Sequence, residues 1–180
     1  MLHVEEVTFA LAASVPGPWG FTPRAFSNAA AGSLSSALRA CGLEAGDPLR
    51  PVPGTAREHA LCFARSDPGE IEARGYKVAG VASRFGRAGA LCHASVPLTG
   101  RSRAVAEFRT GASRERESLE GNARSVGELL GSPAGDLESL GSAIATALEA
   151  EIASRFEARL EPGSLEDVGI EETTMVAQGA

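Results

Sequence analysis

The hydrophobic pattern changes its period several times along the chain. Val7-Thr8-Phe9-Ala10-Leu11-Ala12 is β-branched, aromatic and apolar, which predicts a strand close to the start. Pro16-Gly17-Pro18-Trp19-Gly20, followed by Thr22-Pro23, interrupts regular structure. Between Arg24 and Cys41 the period becomes helical, with Phe26, Ala30, Leu34, Ala37, Leu38 and Cys41 on one face and Gly42 placed to end the helix. Residues 46–59, with three prolines and two glycines, predict an exposed loop. The short apolar run Ala60-Leu61-Cys62-Phe63-Ala64 suits a buried strand, and Asp67-Pro68-Gly69 a turn.

The next thirty or so residues carry the clearest β pattern. Glu70-Ile71-Glu72-Ala73 alternates, Arg74-Gly75 turns the chain, and Tyr76 to Ser83 returns as a second strand. Gly86 and Gly89 bracket another turn before a third strand, Ala90 to Leu98. Sequential strands joined by glycine turns predict an antiparallel meander. After an arginine-rich connection, Ser125 to Leu130 predicts a short helix ended by Gly131. Asp136 is placed to cap a longer one, whose apolar positions Leu137, Leu140, Ile144, Leu148, Ile152 and Phe156 step by three or four. Glu138, Glu149, Glu151, Arg155 and Arg159 fall mostly off that face, and Pro162-Gly163 stops it. The acidic, weakly patterned residues 164–180 are expected to be a flexible tail after a single domain over 1–163. The expected class is α+β, a mainly antiparallel sheet faced by helices.

Composition narrows the function classes. The 180 residues suffice for one domain with a real core, and 43% hydrophobic content is ordinary for a globular protein. A net charge of −6 argues against a general nucleic-acid or anionic-membrane binder, which needs a cationic surface. Three cysteines without CxxC spacing, Cys41, Cys62 and Cys92, make neither a disulfide framework nor a zinc site. No run approaches a membrane span, and the acidic start Met1-Leu2-His3-Val4-Glu5-Glu6 lacks a signal-peptide layout, so the expected location is the cytoplasm.

Candidate chemistry centres on Lys77. In Gly75-Tyr76-Lys77-Val78-Ala79-Gly80 a lone lysine sits among small and apolar residues, and Gly80 lets a ligand approach the backbone. Such an ammonium suits a phosphate oxygen or a developing oxyanion; the alternative is an edge-strand lysine on a solvated hairpin. Cys62 reads either as a thioester-forming nucleophile activated by a nearby cation or as a small buried hydrophobe. His93 lies in the third predicted strand and reads as a visitor to the same site or as a hydrogen-bonded strand residue. His3 and His59 are too isolated to form a metal cluster with it, and neither a nucleophile elbow nor a glycine-rich phosphate loop is present. The arginines between Arg101 and Arg116 read as a solvated connection or as an acceptor for phosphate or an acidic carrier.

Four blocks in order resemble one family. Cys62-Phe63-Ala64, Pro68-Gly69-Glu70 and Gly75-Tyr76-Lys77-Val78-Ala79-Gly80-Val81-Ala82-Ser83-Arg84 resemble the lipoate branch of the biotin/lipoate protein ligase superfamily. Leu2-His3-Val4-Glu5-Glu6-Val7-Thr8-Phe9, Leu91-Cys92-His93-Ala94-Ser95-Val96 and Asn122-Ala123-Arg124-Ser125-Val126-Gly127-Glu128-Leu129 resemble its flanking blocks. The resemblance implies part of that catalytic domain and acyl transfer to a lysine of a lipoyl-carrier domain. In the ligase form, lipoate and ATP with magnesium give lipoyl-AMP, and Lys77 holds the acyl carbonyl and α-phosphate oxygens. Gly75, Val78, Gly80, Ala82 and His93 are then expected to line the substrate. No bound prosthetic group and no protein-held metal are expected. The octanoyltransferase form of the family uses a cysteine in the place of Cys62, and a non-catalytic accessory subunit is a further alternative.

Two motif positions depart from the family: Gly-Arg-Lys is Gly75-Tyr76-Lys77, and Ala-Gln-Arg is Ala82-Ser83-Arg84. The family's Arg-Arg-x-x-Gly-Gly block, which precedes Leu-His, has no counterpart here. A late start, a second chain carrying that block, or a degenerate homologue each account for this, and the missing block predicts an exposed sheet edge and weak or no activity of the chain alone.

Overall fold

In a computed structural model, the structure describes residues 5–14, 22–48, 69–87, 89–101, 121–132 and 136–163. Four strands, β1 (Glu6–Ser14), β2 (Ile71–Ala73), β3 (Tyr76–Phe85) and β4 (Gly89–Pro97), form one antiparallel sheet in the order β1-β4-β3-β2. The helices are α1 (Pro23–Ala40), α2 (Val126–Leu130) and α3 (Leu137–Arg155). This is the expected α+β class.

Side-chain alternation builds the sheet's inner face. Val7, Phe9, Leu11 and Ala13 of β1 stand opposite Val96, Ala94, Cys92 and Ala90 of β4, and all join the hydrophobic core. The intervening residues of β1, Thr8, Ala10, Ala12 and Ser14, are exposed. Helix α1 lays Phe26, Ala30, Leu34, Ala37 and Leu38 into the core, and α3 adds Ile144, Leu148 and Ile152. Phe26 meets Phe156 edge to face, with centroids 6.0 Å apart. Small residues at Ala29, Ala30, Ala31, Ser33 and Ser35 of α1 are all buried. Gly32 lets α1 approach Arg155 so closely that a Cβ there would stand 3.3 Å from its guanidinium carbon.

Helix boundaries follow capping chemistry. Thr22, extended at ψ 157°, accepts a hydrogen bond from the Ala25 amide, and Pro23 follows it in the first turn. Ser125 and Glu128 form a reciprocal capping box around α2, which Gly131 ends in the left-handed region. Asp136 occupies the N-cap position of α3 but makes no side-chain cap bond; its ψ of 13° is not the extended geometry that aims a cap oxygen at the first turn. Leu137 and Leu140 are only partly buried, so the inward face of α3 starts in earnest at Ile144.

The segment after α1 is tied down rather than looped out. Ser35 donates to the Gly46 carbonyl at 2.6 Å, Arg39 donates to the Ala45 carbonyl, and Ala45 bridges antiparallel to Ala73. Gly46 and Asp47, where the expected loop begins, are exposed, and the Gly46 amide donates to the Glu72 carbonyl at the edge of β2. The expected break at 15–21, strand at 60–64, most of the 46–59 loop and the tail at 164–180 lie outside the described residues.

Candidate functional site

The β2–β3 hairpin positions Lys77. Arg74 and Gly75 both have positive φ, 51° and 81°, the combination that a two-residue hairpin turn with native twist requires. From there the ladder pairs Ala73 with Tyr76 and Glu72 with Lys77. One step along β2, from Glu72 to Ile71, then matches two steps on β3, from Lys77 to Ala79. Val78 is therefore the extra residue of a β-bulge, a device that breaks alternation and re-aims side chains. Its consequence is visible in the burial: Lys77, Val78 and Ala79 are all at 0% exposure, where an unbroken strand facing water on one side would expose one of them.

Lys77 is the largest fully buried side chain among the described residues, so the solvated-hairpin reading of this lysine does not hold. Its Nζ lies 2.6 Å from Oε1 of Glu70, whose own side chain is 12% exposed. An ammonium withdrawn from water is costly, and a carboxylate at contact distance offsets that cost. The Lys77 backbone is held from the other side as well. It bridges in parallel to Ala123, and the Arg124 amide donates to its carbonyl at 3.1 Å. The capping box of α2 fixes this segment, and Gly127 lets α2 sit against the end of β4 with its amide on the Leu98 carbonyl. The Arg124 guanidinium stacks over the Tyr76 ring, 4.6 Å from its centroid.

The other expected site residues spread along β3. Gly75 is exposed in the turn and Val78 is buried in the bulge. Gly80 stands opposite Ser95, and Ala82 opposite His93. Ala82 and His93 are exposed together, with Ala10 as the other neighbour of His93. Ala82 is five residues beyond Lys77, about 16 Å at the usual strand rise, so the sheet does not bring His93 to the lysine. Cys62 lies outside the described residues.

The two described cysteines are not activated thiols. Burial pushes the Cys41 thiol up, and burial likewise raises Cys92, with a hydrogen bond to Ser83 pulling the other way. Reactive thiols are shifted in the opposite direction. Sequence reasoning missed three contributors: Glu70 as the counterion, the bulge, and the Ala123-Arg124 clamp. Only the bulge had a faint signal, since Lys77-Val78-Ala79 does not alternate in polarity as an ordinary amphipathic strand does. No group of three or more metal-ligating side chains occurs among the described residues, and no helix there is long and apolar enough to cross a membrane.

Neither a protein-family model nor a curated protein sequence matches the chain. Solved structures do match its fold. A bi-partite lipoate protein ligase from Thermoplasma acidophilum, studied with its E2 lipoyl domain, superposes at a TM-score of 0.61 and 11% identity, over 89% of this chain and 55% of its own. A T. acidophilum structure with bound lipoic acid matches at 0.58 and 16% identity, over 88% and 54%. Lipoate-protein ligase A bound with ATP matches at 0.61 and 14% identity, over 92% and 58%. The chain spans little more than half the length of these proteins, and it has the fold of that part of a lipoate-protein ligase.

Proposed function

We propose that the chain is the lysine-bearing part of a lipoate-protein ligase, joining lipoate to AMP and passing the lipoyl group to a lysine of a lipoyl-carrier domain. The observation that carries this reading is the fully buried Lys77, clamped by a bulge on one side and Ala123-Arg124 on the other, within a lipoate-ligase fold. A buried cation at a fixed backbone position is a pre-aimed electrostatic partner for charge that develops on an acyl carbonyl or a phosphate. In this reading Lys77 meets the carboxylate and α-phosphate oxygens in the first step, and the acyl oxygen when the carrier amine attacks in the second. In the first step the carboxylate attacks the α-phosphorus of ATP and pyrophosphate leaves; in the second the carrier amine displaces AMP and gives up a proton. Magnesium would arrive with the nucleotide, as it commonly binds through phosphates and one or two carboxylates rather than a protein cage.

The neighbours support the substrates by class: one is bound with ATP, another with lipoic acid, and a third was studied with its lipoyl domain. A lipoyl domain of a 2-oxoacid dehydrogenase or the glycine-cleavage carrier is the acceptor this reading expects, and a partner chain completing the pocket is compatible with it. Gly75, Val78 and Gly80, all within three residues of Lys77, are the expected lining residues nearest the reacting atoms. Ala82 and His93 would contact only the far end of an extended acyl chain.

The test is the mass of a lipoyl-domain acceptor after incubation with the chain, lipoate, ATP and magnesium, with and without a second chain that supplies the family's glycine-rich block. A lipoyl mass shift that disappears in Lys77→Ala is expected. Transfer from an octanoyl carrier without ATP, lost in Cys62→Ser, would replace the ligase reading with the transferase one. A folded chain that shifts no mass under either condition would leave a non-catalytic partner role.

A further inference from the structure

The pairing of Lys77 with Glu70 raises a question that the proposed reaction leaves open, namely what the lysine does before its ligand arrives. A buried ammonium needs a negative partner at all times, because the protein interior does not supply water to solvate it. Glu70 fills that role at 2.6 Å. A carboxylate presents the same kind of oxygen acceptor as the phosphate or acyl oxygen assigned to Lys77 above, so the two compete for the same donors.

The two backbones are unequally held. Lys77 lies inside the ladder, paired with Glu72 on one side and bridged to Ala123 on the other, and its carbonyl accepts from Arg124. Glu70 stands just before β2, outside that ladder, and follows Gly69, whose φ of 95° is open to glycine at little steric cost. When an anion reaches the ammonium, the residue positioned to yield is therefore the glutamate. A ligand anion and an unmoved Glu70 carboxylate would be like charges a few ångströms apart in a site shielded from water, where repulsion is strong.

We propose that Glu70 is a resident placeholder for the ligand: its carboxylate occupies the buried Lys77 ammonium in the empty site and gives it up to the incoming phosphate or acyl anion. The inference rests on the reading of Lys77 as an anion-holding residue. Glu70 is thus a positioning residue that acts through Lys77. It keeps the lysine aimed while the site is empty and sets a threshold that a ligand must exceed.

The sign of one substitution separates this from a purely structural ion pair. In Glu70→Gln the amide oxygen still accepts from Lys77 but carries no charge. If the carboxylate competes with ligand, the variant binds anions more tightly; if it only braces the lysine, the variant binds them more weakly. The assay is calorimetric titration of the full chain with ATP and, separately, with inorganic pyrophosphate. The variants are Glu70→Gln, Glu70→Asp, Lys77→Met and the Glu70→Gln/Lys77→Met double. Expected is a dissociation constant about tenfold lower in Glu70→Gln, the scale a removed like charge supplies at close range. Glu70→Asp should stay near the parent, and the gain should vanish in the Lys77→Met background. Equal or weaker binding by folded Glu70→Gln, or no binding by either protein, overturns the proposal.

A second measurement needs no variant. Hydrogen exchange in the parent chain should speed up at Glu70 and Ile71 when pyrophosphate is added, with Lys77 and Arg124 unchanged. Uniform protection instead would overturn the proposal. The two readings fail separately. Tightening by Glu70→Gln with no lipoyl transfer keeps the placeholder and discards the ligase. Lys77-dependent lipoyl transfer without tightening does the reverse.

Discussion

The placement of the site depends on how closely α2 sits against the end of β4, and Gly127 tests this directly. A Cβ at Gly127 would stand 2.5 Å from the Leu98 carbonyl oxygen and 3.6 Å from a methyl of Leu137. The first distance is well inside contact, and the obstructing atom is backbone, which no rotamer change can move. Gly127 also donates its amide to that same carbonyl at 3.2 Å, so pushing the helix away stretches a hydrogen bond. Forced overpacking costs about 1–3 kcal/mol, and a lost hydrogen bond roughly 0.5–1.5 kcal/mol. Alanine's better helix propensity returns up to about 1 kcal/mol.

The balance predicts that Gly127→Ala loses about 1–3 kcal/mol, or roughly 3–10 °C of melting temperature for a domain of this size. Urea unfolding followed by circular dichroism measures it, beside Gly121→Ala. A Cβ at Gly121 would meet nothing within 4 Å and the backbone there has no positive φ, so alanine should be neutral or slightly stabilising. The Ala123-Arg124 clamp is carried on the same segment, so exchange of the Arg124 amide, which donates to Lys77, should quicken in Gly127→Ala. If Gly127→Ala unfolds at the same or a higher urea concentration than the parent, the close approach does not constrain α2 and the account of how Lys77 is held loses its footing.

Three further outcomes follow from the same geometry. Ser125→Ala removes the hydroxyl that accepts from the Glu128 amide and donates to its carboxylate, leaving only the backbone half of the capping box, and should cost about 1 kcal/mol in urea unfolding; an unchanged midpoint would show that α2 is held by packing alone. Lys77→Met alone removes the ammonium paired with the mostly buried Glu70 carboxylate and should cost about 3–5 kcal/mol, with Glu70→Met added to it restoring most of the loss; a double variant no more stable than the single one would refute the pairing. Burial raises the Cys92 thiol, so the folded chain keeps that proton after the unfolded chain has lost its own. The corresponding stability is present below the ordinary thiol range and falls as pH rises through it, and Cys92→Ala should flatten the decline of the urea midpoint between about pH 8 and 10.

The meander was legible because its signals are local. Arg74-Gly75 and Gly86…Gly89 mark turns, and strand alternation between them sets the inner face. The short helix was legible from its glycine stop, while the long one was legible in its period but not at its start. Asp136 has a favourable side chain in an unfavourable backbone conformation; Thr22 and Ser125, both extended, do cap. Backbone dihedrals at a cap are set by the incoming chain, which residue identity alone does not reveal. Lys77 was singled out by its neighbours, yet its burial was not readable, since lysine is ordinarily exposed. Two non-local events bury it: a one-residue slip against β2, and a bridge to Ala123 far downstream. His93 shows the opposite case, a residue of suggestive type whose register with Ala82 places it well away from the lysine.

The departure at Tyr76 gains meaning from the same downstream segment. Where the resembling family carries an arginine next to its lysine, this chain carries an aromatic ring, and Arg124 lays its guanidinium on that ring. The contact contributes about 0.5–1 kcal/mol at a half-exposed site. More important for chemistry, it keeps a positive group beside the Lys77 strand, supplied from the segment that leads into α2 instead of from β3 itself. The two positions should therefore be read as one unit. Replacing Tyr76 by arginine without changing Arg124 would bring two guanidinium groups together, and removing Arg124 would leave Lys77 without a neighbouring cation on that segment. In a chain of net charge −6, a positive group beside β3 has to be placed locally, and the segment that clamps the Lys77 backbone also carries it.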